Sequence, residues 1–163
     1  NALAAAAHEA EKAGYKVVVL GDDLEGEARD LAACHATLAK EFLLHDQPTV
    51  LLSGGEATVT VSGSGRGGPN TEYLLALAIA LKQAPGIFAL ACDTDGIDGS
   101  ENNAGALISP DSLERSMALP MDPERKLAIN DSYGFFEALG DLIITGPTRT
   151  NVNDFRAMLI VPT

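Results

Sequence analysis

Between Ser53 and Asp98 the chain reads SGGEATVTVSGSGRGGPN, then a helix-like apolar stretch, then GIFALAC and DTDGIDG. Two glycine-rich loops and three aspartates thus bracket one helix and one strand, which confines the chain to folds that gather loops at a sheet edge. Glycine lets backbone N–H groups approach an anion, and aspartates hold metals or move protons. The pairing points to phosphate chemistry.

The pattern around this segment alternates helix and strand. Residues 2–13 are alanine-rich with Gly14 as a C-terminal stop, and YKVVVL (15–20) is a β-branched run ending at Gly21. EGEARDLAACHATLAKEFLL (25–44) predicts a long helix with an acidic first turn, closed by the HDQP loop that marks the best internal boundary. TVLLS, a Gly54-Gly55 turn and EATVTV predict a half-exposed antiparallel hairpin. After SGSGRGGP, NTEYLLALAIALKQ predicts a helix with Asn70 as N-cap, and GIFALAC (86–92) a continuously buried strand. Strands are expected at 105–109, 141–145 and 155–161, with three short helical pieces between Pro110 and Leu139. The expected class is α/β, a mixed sheet with flanking helices.

At 163 residues and 46% apolar content the chain can bury a sizeable core. Its longest apolar run, LLALAIAL, is far short of the roughly 20 residues a membrane-spanning helix needs. The opening NALAAAAHEAEKAG lacks the pattern of a signal peptide, so a cytoplasmic location is the default expectation. A formal charge of -12 argues against nucleic acid and anionic membranes as partners. The same charge means that backbone amides, a metal or another chain segment must supply positive potential to any phosphate.

Gly63, Gly65 and Gly68 spell G-x-G-x-x-G between a strand and a helix, superficially a dinucleotide fingerprint. The alternating TVTVS before it speaks against that reading, because a Rossmann first strand is buried on both faces. No P-loop motif occurs, yet the glycine loop opening onto a helix N-terminus could still offer N–H groups to an anion, with Arg66 adding a fork of donors. Asp93, Asp95 and Asp98 follow a strand at the edge where open α/β sheets place ligands. They do not complete an EF-hand, but paired carboxylates could hold Mg2+ through water or accept a hydroxyl proton. The alternative is that they bond their own turn amides.

GPTRTNVND (146–154) adds hydroxyls at Thr148 and Thr150 and the Asn151 amide, a density suited to a phosphorylated or polyhydroxylated ligand or simply to a capped connection. His8, His35 and His45 lack metal-ligand spacing and are expected at the surface. Cys34 and Cys92 fit reduced packing thiols.

SGGEATVTV, GRGGPNTEYLLALAIAL, DTDGIDGSENNAGA and NDSYGFFEALGDLIITGPTRTNVNDFRAMLI closely resemble the MOFRL domain of type III glycerate 2-kinases, a family often labelled hydroxypyruvate reductases. The resemblance covers 48–163, and residues 1–47 look like the end of the Rossmann-like domain that precedes it. It implies the C-terminal domain of a two-domain kinase that phosphorylates D-glycerate at its 2-hydroxyl, giving 2-phosphoglycerate, with ATP and Mg2+. It also implies a missing N-terminal domain as partner, so this chain alone would lack activity.

Residue by residue, the resemblance puts Gly54, Gly55, Glu56, Arg66, Gly67, Gly68, Asn70, Glu72, Thr148, Thr150 and Asn151 on the wall that binds substrate and nucleotide. It gives Asp95 or Asp98 the catalytic work and Asp93 with Asp95 the metal. Many members carry a basic residue where this chain has Pro69. The alternative functions are an NAD(P)H-dependent hydroxypyruvate reductase and a non-catalytic ligand- or protein-binding module.

Overall fold

The computed structural model describes all 163 residues. Helix α1 (Ala2–Lys12) begins at Asn1, whose side chain accepts from the N–H groups of Leu3 and Ala4. Strand β1 (Lys16–Glu27), helix α2 (Ala28–Phe42) and strand β2 (Thr49–Thr58) form a parallel crossover unit. Helix α3 (Pro69–Leu81) leads to β3 (Ile87–Asp93) and β4 (Gly105–Ile108). Three short helices, α4 (Ser112–Met117), α5 (Pro123–Ala128) and α6 (Ser132–Leu139), precede β5 (Leu142–Ile143) and β6 (Asp154–Ile160). The six strands lie in the order β1-β2-β6-β3-β4-β5, parallel only between β1 and β2, so the sheet is mixed as expected.

Helix α3 holds this arrangement together. Ten of its residues are buried, because it is apolar all round and packs between α2 and the sheet. Each buried leucine of Leu74, Leu75, Leu77 and Leu81 contributes about 1.5–3 kcal/mol of apolar transfer. Helix α2 presents Ala28, Ala32, Ala36 and Ala39, a small-residue stripe at helical spacing that lets the two helices approach closely. The chain leaves α3 through Lys82 in the left-handed conformation, which stops the helix.

Several expectations change here. Gly54-Gly55 does not turn the chain. One strand runs through both glycines with β1 on one side and β6 on the other, and Gly55 at φ 125 lies so close to Leu24 that a Cβ would overlap its backbone. The alternation at 57–61 reflects a strand end emerging from the sheet, not a hairpin arm. Strand β1 continues through Gly21 to Glu27, with register shifts between Val19 and Leu24, so α2 starts later than the acidic run suggests. On either side of residue 47, β1 pairs with β2, and the α2 alanines share a cluster with α3.

Strand β3 is buried on one face only. Ile87, Ala89 and Ala91 face α3, whereas Phe88 is 41% exposed. Phe88, Leu90, Leu107 and Leu159 line a shallow apolar depression beside α1, which packs mainly against β1 and β2. The strand expected at 141–145 shortens to two residues, as Gly146 and Pro147 follow closely. Cys34 is exposed, not packed, while Cys92 is half-buried.

Candidate functional site at one sheet edge

The C-terminal ends of β1, β2 and β3 and the N-terminal ends of β4 and β6 meet at the same edge, since Gly55 pairs with Asp154, Asp93 with Asp154 and Gly105 with Cys92. The α1 N-terminus joins them: Asn1 and Ala2 line a depression with Asp22, Gly54, Thr94 and Asp154, and a neighbouring one with Asp93, Thr145, Thr148 and Thr150. The rim is acidic, with Asp22, Asp23, Glu25 and Glu56 exposed on β1 and β2.

Asp98 is turned inward and is 1% exposed. Its Oδ1 accepts from the Asn70 N–H at 2.9 Å and from Asn70 Nδ2 at 3.2 Å, and its Oδ2 accepts from the Thr71 N–H at 2.9 Å. The next N–H of α3, on Glu72, bonds to the Gly68 carbonyl, and Pro69 has none. Asp98 thus occupies the helix N-terminus that an external anion would need. The N-cap position belongs to Gly68, not Asn70, and a Cβ on Gly68 would stand 2.5 Å from the Asp98 backbone. Burial pushes the Asp98 carboxyl above its usual range, opposed by the bonds from Asn70 and Thr71.

The glycine loop is likewise committed. Asn130 Oδ1 accepts from the Ser62 and Gly63 N–H groups at 2.7 and 2.9 Å, the Gly65 N–H reaches the Ile129 carbonyl at 2.8 Å, and the Arg66 N–H reaches Asp131 Oδ1 at 3.2 Å. The glycines let two backbone segments touch. Glu72, 2% exposed, accepts from Arg29 at 3.3 and 3.4 Å and from Asn130 at 2.8 Å, which ties α3 to α2 and to the α5–α6 turn. Asn70, Glu72, Gly67 and Gly68 therefore support the rim from behind. Arg66 is half-exposed, stacked over Tyr133 at 4.7 Å and 3.5 Å from Glu137.

Asp93 and Asp95 remain at the surface of the rim. The Asp95 N–H donates to Asp93 Oδ1 at 3.0 Å and the Ile97 N–H to Asp95 Oδ1 at 2.8 Å, which leaves the second oxygen of each carboxylate without a protein donor. Burial, together with the charges of Asp95 and Asp154, pushes Asp93 up to about 6. The same burial and acidic neighbours push Cys92 up to about 11. No group of three or more His, Cys, Asp or Glu side chains converges as a ready metal cage. A pair of hard oxygen donors open to water still fits Mg2+, which keeps most of its waters and is held by one or two carboxylates plus phosphates.

The 146–153 loop docks on the aspartate loop. Thr148 donates its hydroxyl to the Thr94 carbonyl and its N–H to the Asp95 carbonyl, while Thr94 bonds to Asn153 and Val152. Thr150 and Asn151 stay exposed, as does Glu56. Gly54 and Gly55 are buried in β2, with only backbone to offer.

Two important residues escaped the sequence reading. Asp154 accepts from the Ala57 N–H at 2.9 Å, Asn70 Nδ2 at 2.9 Å and Arg156 Nη1 at 3.2 Å. Arg156, 1% exposed, is among the largest fully buried side chains. An arginine inside the apolar run FRAMLIV was the available signal, because a buried charge demands partners. His35, expected at the surface, is buried with Nδ1 2.7 Å from the Tyr73 hydroxyl.

A mixed six-stranded α/β domain with acidic and hydroxyl-rich loops gathered at one sheet edge defines the class. The chain belongs to the MOFRL family, whose model matches residues 49–154. It is 54% identical over 98% of its length to an Agrobacterium vitis protein that bears the provisional name hydroxypyruvate reductase, covering 38% of that protein. It is 38% identical to the D-glycerate 2-kinase of Thermotoga maritima over 93% of this chain and 37% of that one. The crystal structure of the Thermotoga maritima glycerate kinase superposes with a TM-score of 0.92 over 96% of this chain and 39% of that chain. The chain thus spans about two fifths of the relatives it matches.

Proposed function

We propose that the full-length protein is a glycerate 2-kinase, transferring a phosphoryl group from ATP to the 2-hydroxyl of D-glycerate, and that this domain forms one wall of the site. The observation that carries the reading is the likeness to the Thermotoga maritima glycerate kinase, at 38% identity over nearly the whole chain. The acidic rim accords with it, because a wall this negative needs basic residues from elsewhere to hold anionic substrates. A preceding domain of the same protein is the proposed source.

In this reading the free oxygen of Asp93 would hold a hydrated Mg2+ together with the substrate phosphates, and the free oxygen of Asp95 accepts the hydroxyl proton. Mg2+ bound there would neutralise phosphate charge as the transfer proceeds. Asp98 serves by fixing the α3 N-terminus beside the aspartate loop. Arg66, Thr150, Asn151 and Glu56 face solvent and are the side chains available for contact with substrate or nucleotide.

The reductase alternative draws on the provisional name of the Agrobacterium vitis relative. Against it, the G-x-G-x-x-G backbone is bonded to residues 129–131 and the helix behind it is capped by Asp98, so no pyrophosphate cradle is open. The ground differs from the one the sequence suggested, since β2 is a continuous strand, but the conclusion is the same. Full-length protein should consume ATP with D-glycerate and leave NADH unchanged with hydroxypyruvate; the reverse pattern overturns the kinase reading.

A further inference from the structure

Arg156 sits in the middle of the sheet on β6, and burying an unpaired guanidinium would cost several kcal/mol. Each of its three nitrogens donates to a group on the rim. Nε donates to Ser53 Oγ at 3.2 Å, Nη1 to Asp154 Oδ2 at 3.2 Å and Nη2 to the Gly54 carbonyl at 3.1 Å, with the Tyr73 ring 5.6 Å from the guanidinium carbon. Asp154 passes the connection on through Asn70 to Asp98. One side chain therefore joins the glycine segment of β2, the start of α3 and, through Asp98, the aspartate loop.

We propose that Arg156 is a positioning residue for the phosphoryl transfer: it fixes the Ser53–Gly54 backbone and the Asp154 carboxylate, and through Asn70 and Asp98 it sets where the aspartate loop stands. The proposal rests on the kinase reading. A planar fork is required, because the acceptors are spread over two strands, Ser53 Oγ and the Gly54 carbonyl on β2 and the Asp154 carboxylate on β6, and a lysine ammonium is a single compact point of donors. Lysine keeps the positive charge beside Asp154 while losing the simultaneous reach to Ser53 and Gly54.

The test compares wild-type, Arg156→Lys and Ser53→Ala full-length protein by steady-state kinetics and by hydrogen exchange. In folded Arg156→Lys, kcat should fall about tenfold to a hundredfold, the size expected of misplacement at the reacting centre, with both KM values nearly unchanged. A folded Arg156→Lys enzyme with wild-type kcat overturns the proposal. Should that variant not fold, Ser53→Ala, which removes one acceptor, should lower kcat with KM retained, and a wild-type kcat overturns it likewise. If the wild-type protein itself phosphorylates no glycerate, the kinase reading fails separately, and amide exchange then decides. Exchange at Ala57 and Thr71 should quicken in the variant while β4 amides stay as they are, and unchanged exchange at both overturns the positioning role.

Discussion

Asp98 and Thr71 stand 27 residues apart in sequence and meet through a 2.9 Å bond in which the Thr71 N–H donates to the carboxylate. An acid in the loop that invites a metal reading is thereby a remote helix cap. Asp98→Ala removes the cap and leaves buried N–H groups on Asn70 and Thr71 unpaired. A loss of about 2–4 kcal/mol is expected in urea unfolding without any metal added, combining a lost cap with unsatisfied donors. A metal-ligand role alone would leave that stability unchanged.

Glu72 offers a parallel case. Glu72→Ala leaves Arg29 and Asn130 without their shared acceptor between α2, α3 and the α5–α6 turn. Because Arg29 is 37% exposed, part of its charge is solvated, and the expected loss is about 2–3 kcal/mol, below that of a fully buried pair. Glu72→Gln, which keeps an acceptor, should lose less by thermal unfolding.

Gly68→Ala would set a Cβ 2.5 Å from backbone atoms of Asp98, with no flexible side-chain end to yield. Displacing the aspartate loop should cost about 1–3 kcal/mol. Circular dichroism melting reads it. Gly14→Ala has no neighbour within 4 Å to clash with, so its penalty should come only from its positive φ of 90.

The fold's layers were legible in the sequence because periodicity reports burial: α1, α2, α3, β3, β4 and β6 all lie within a few residues of their expected positions. Where the reading failed, the deciding partner was distant. Gly54-Gly55 looks like a turn until β1 and β6 flank it, and the glycine loop looks like an anion cradle until Asn130 and Asp131 fill it. Of the candidate site, the loops were identifiable from residue type, but which carboxylate faces solvent depended on Asp98 reaching α3. Arg156 stood out only as a charge inside the apolar run FRAMLIV, and its partners, Asp154 among them, are fixed by contacts that the sheet creates.

His35 and Asp93 give opposite pH signatures. Burial, aided by the Arg156 charge, lowers His35 from 6.5 to about 4, so between these values the unfolded chain binds the extra proton and stability rises with pH. Asp93, raised from 3.8 to about 6, holds its proton longer in the fold, so its contribution falls as pH rises through the same range. His35→Gln should flatten the rise and Asp93→Asn should steepen it. Urea midpoints from pH 4 to 7 measure both.

The most direct measurement is phosphorus NMR of the full-length protein incubated with ATP, Mg2+ and D-glycerate. A glycerate 2-kinase yields 2-phosphoglycerate with stoichiometric ADP, and Asp95→Asn should abolish the new resonance while the protein stays folded. Absence of any ATP-dependent phosphoglycerate from folded protein, or an Asp95→Asn variant as active as wild type, would contradict it.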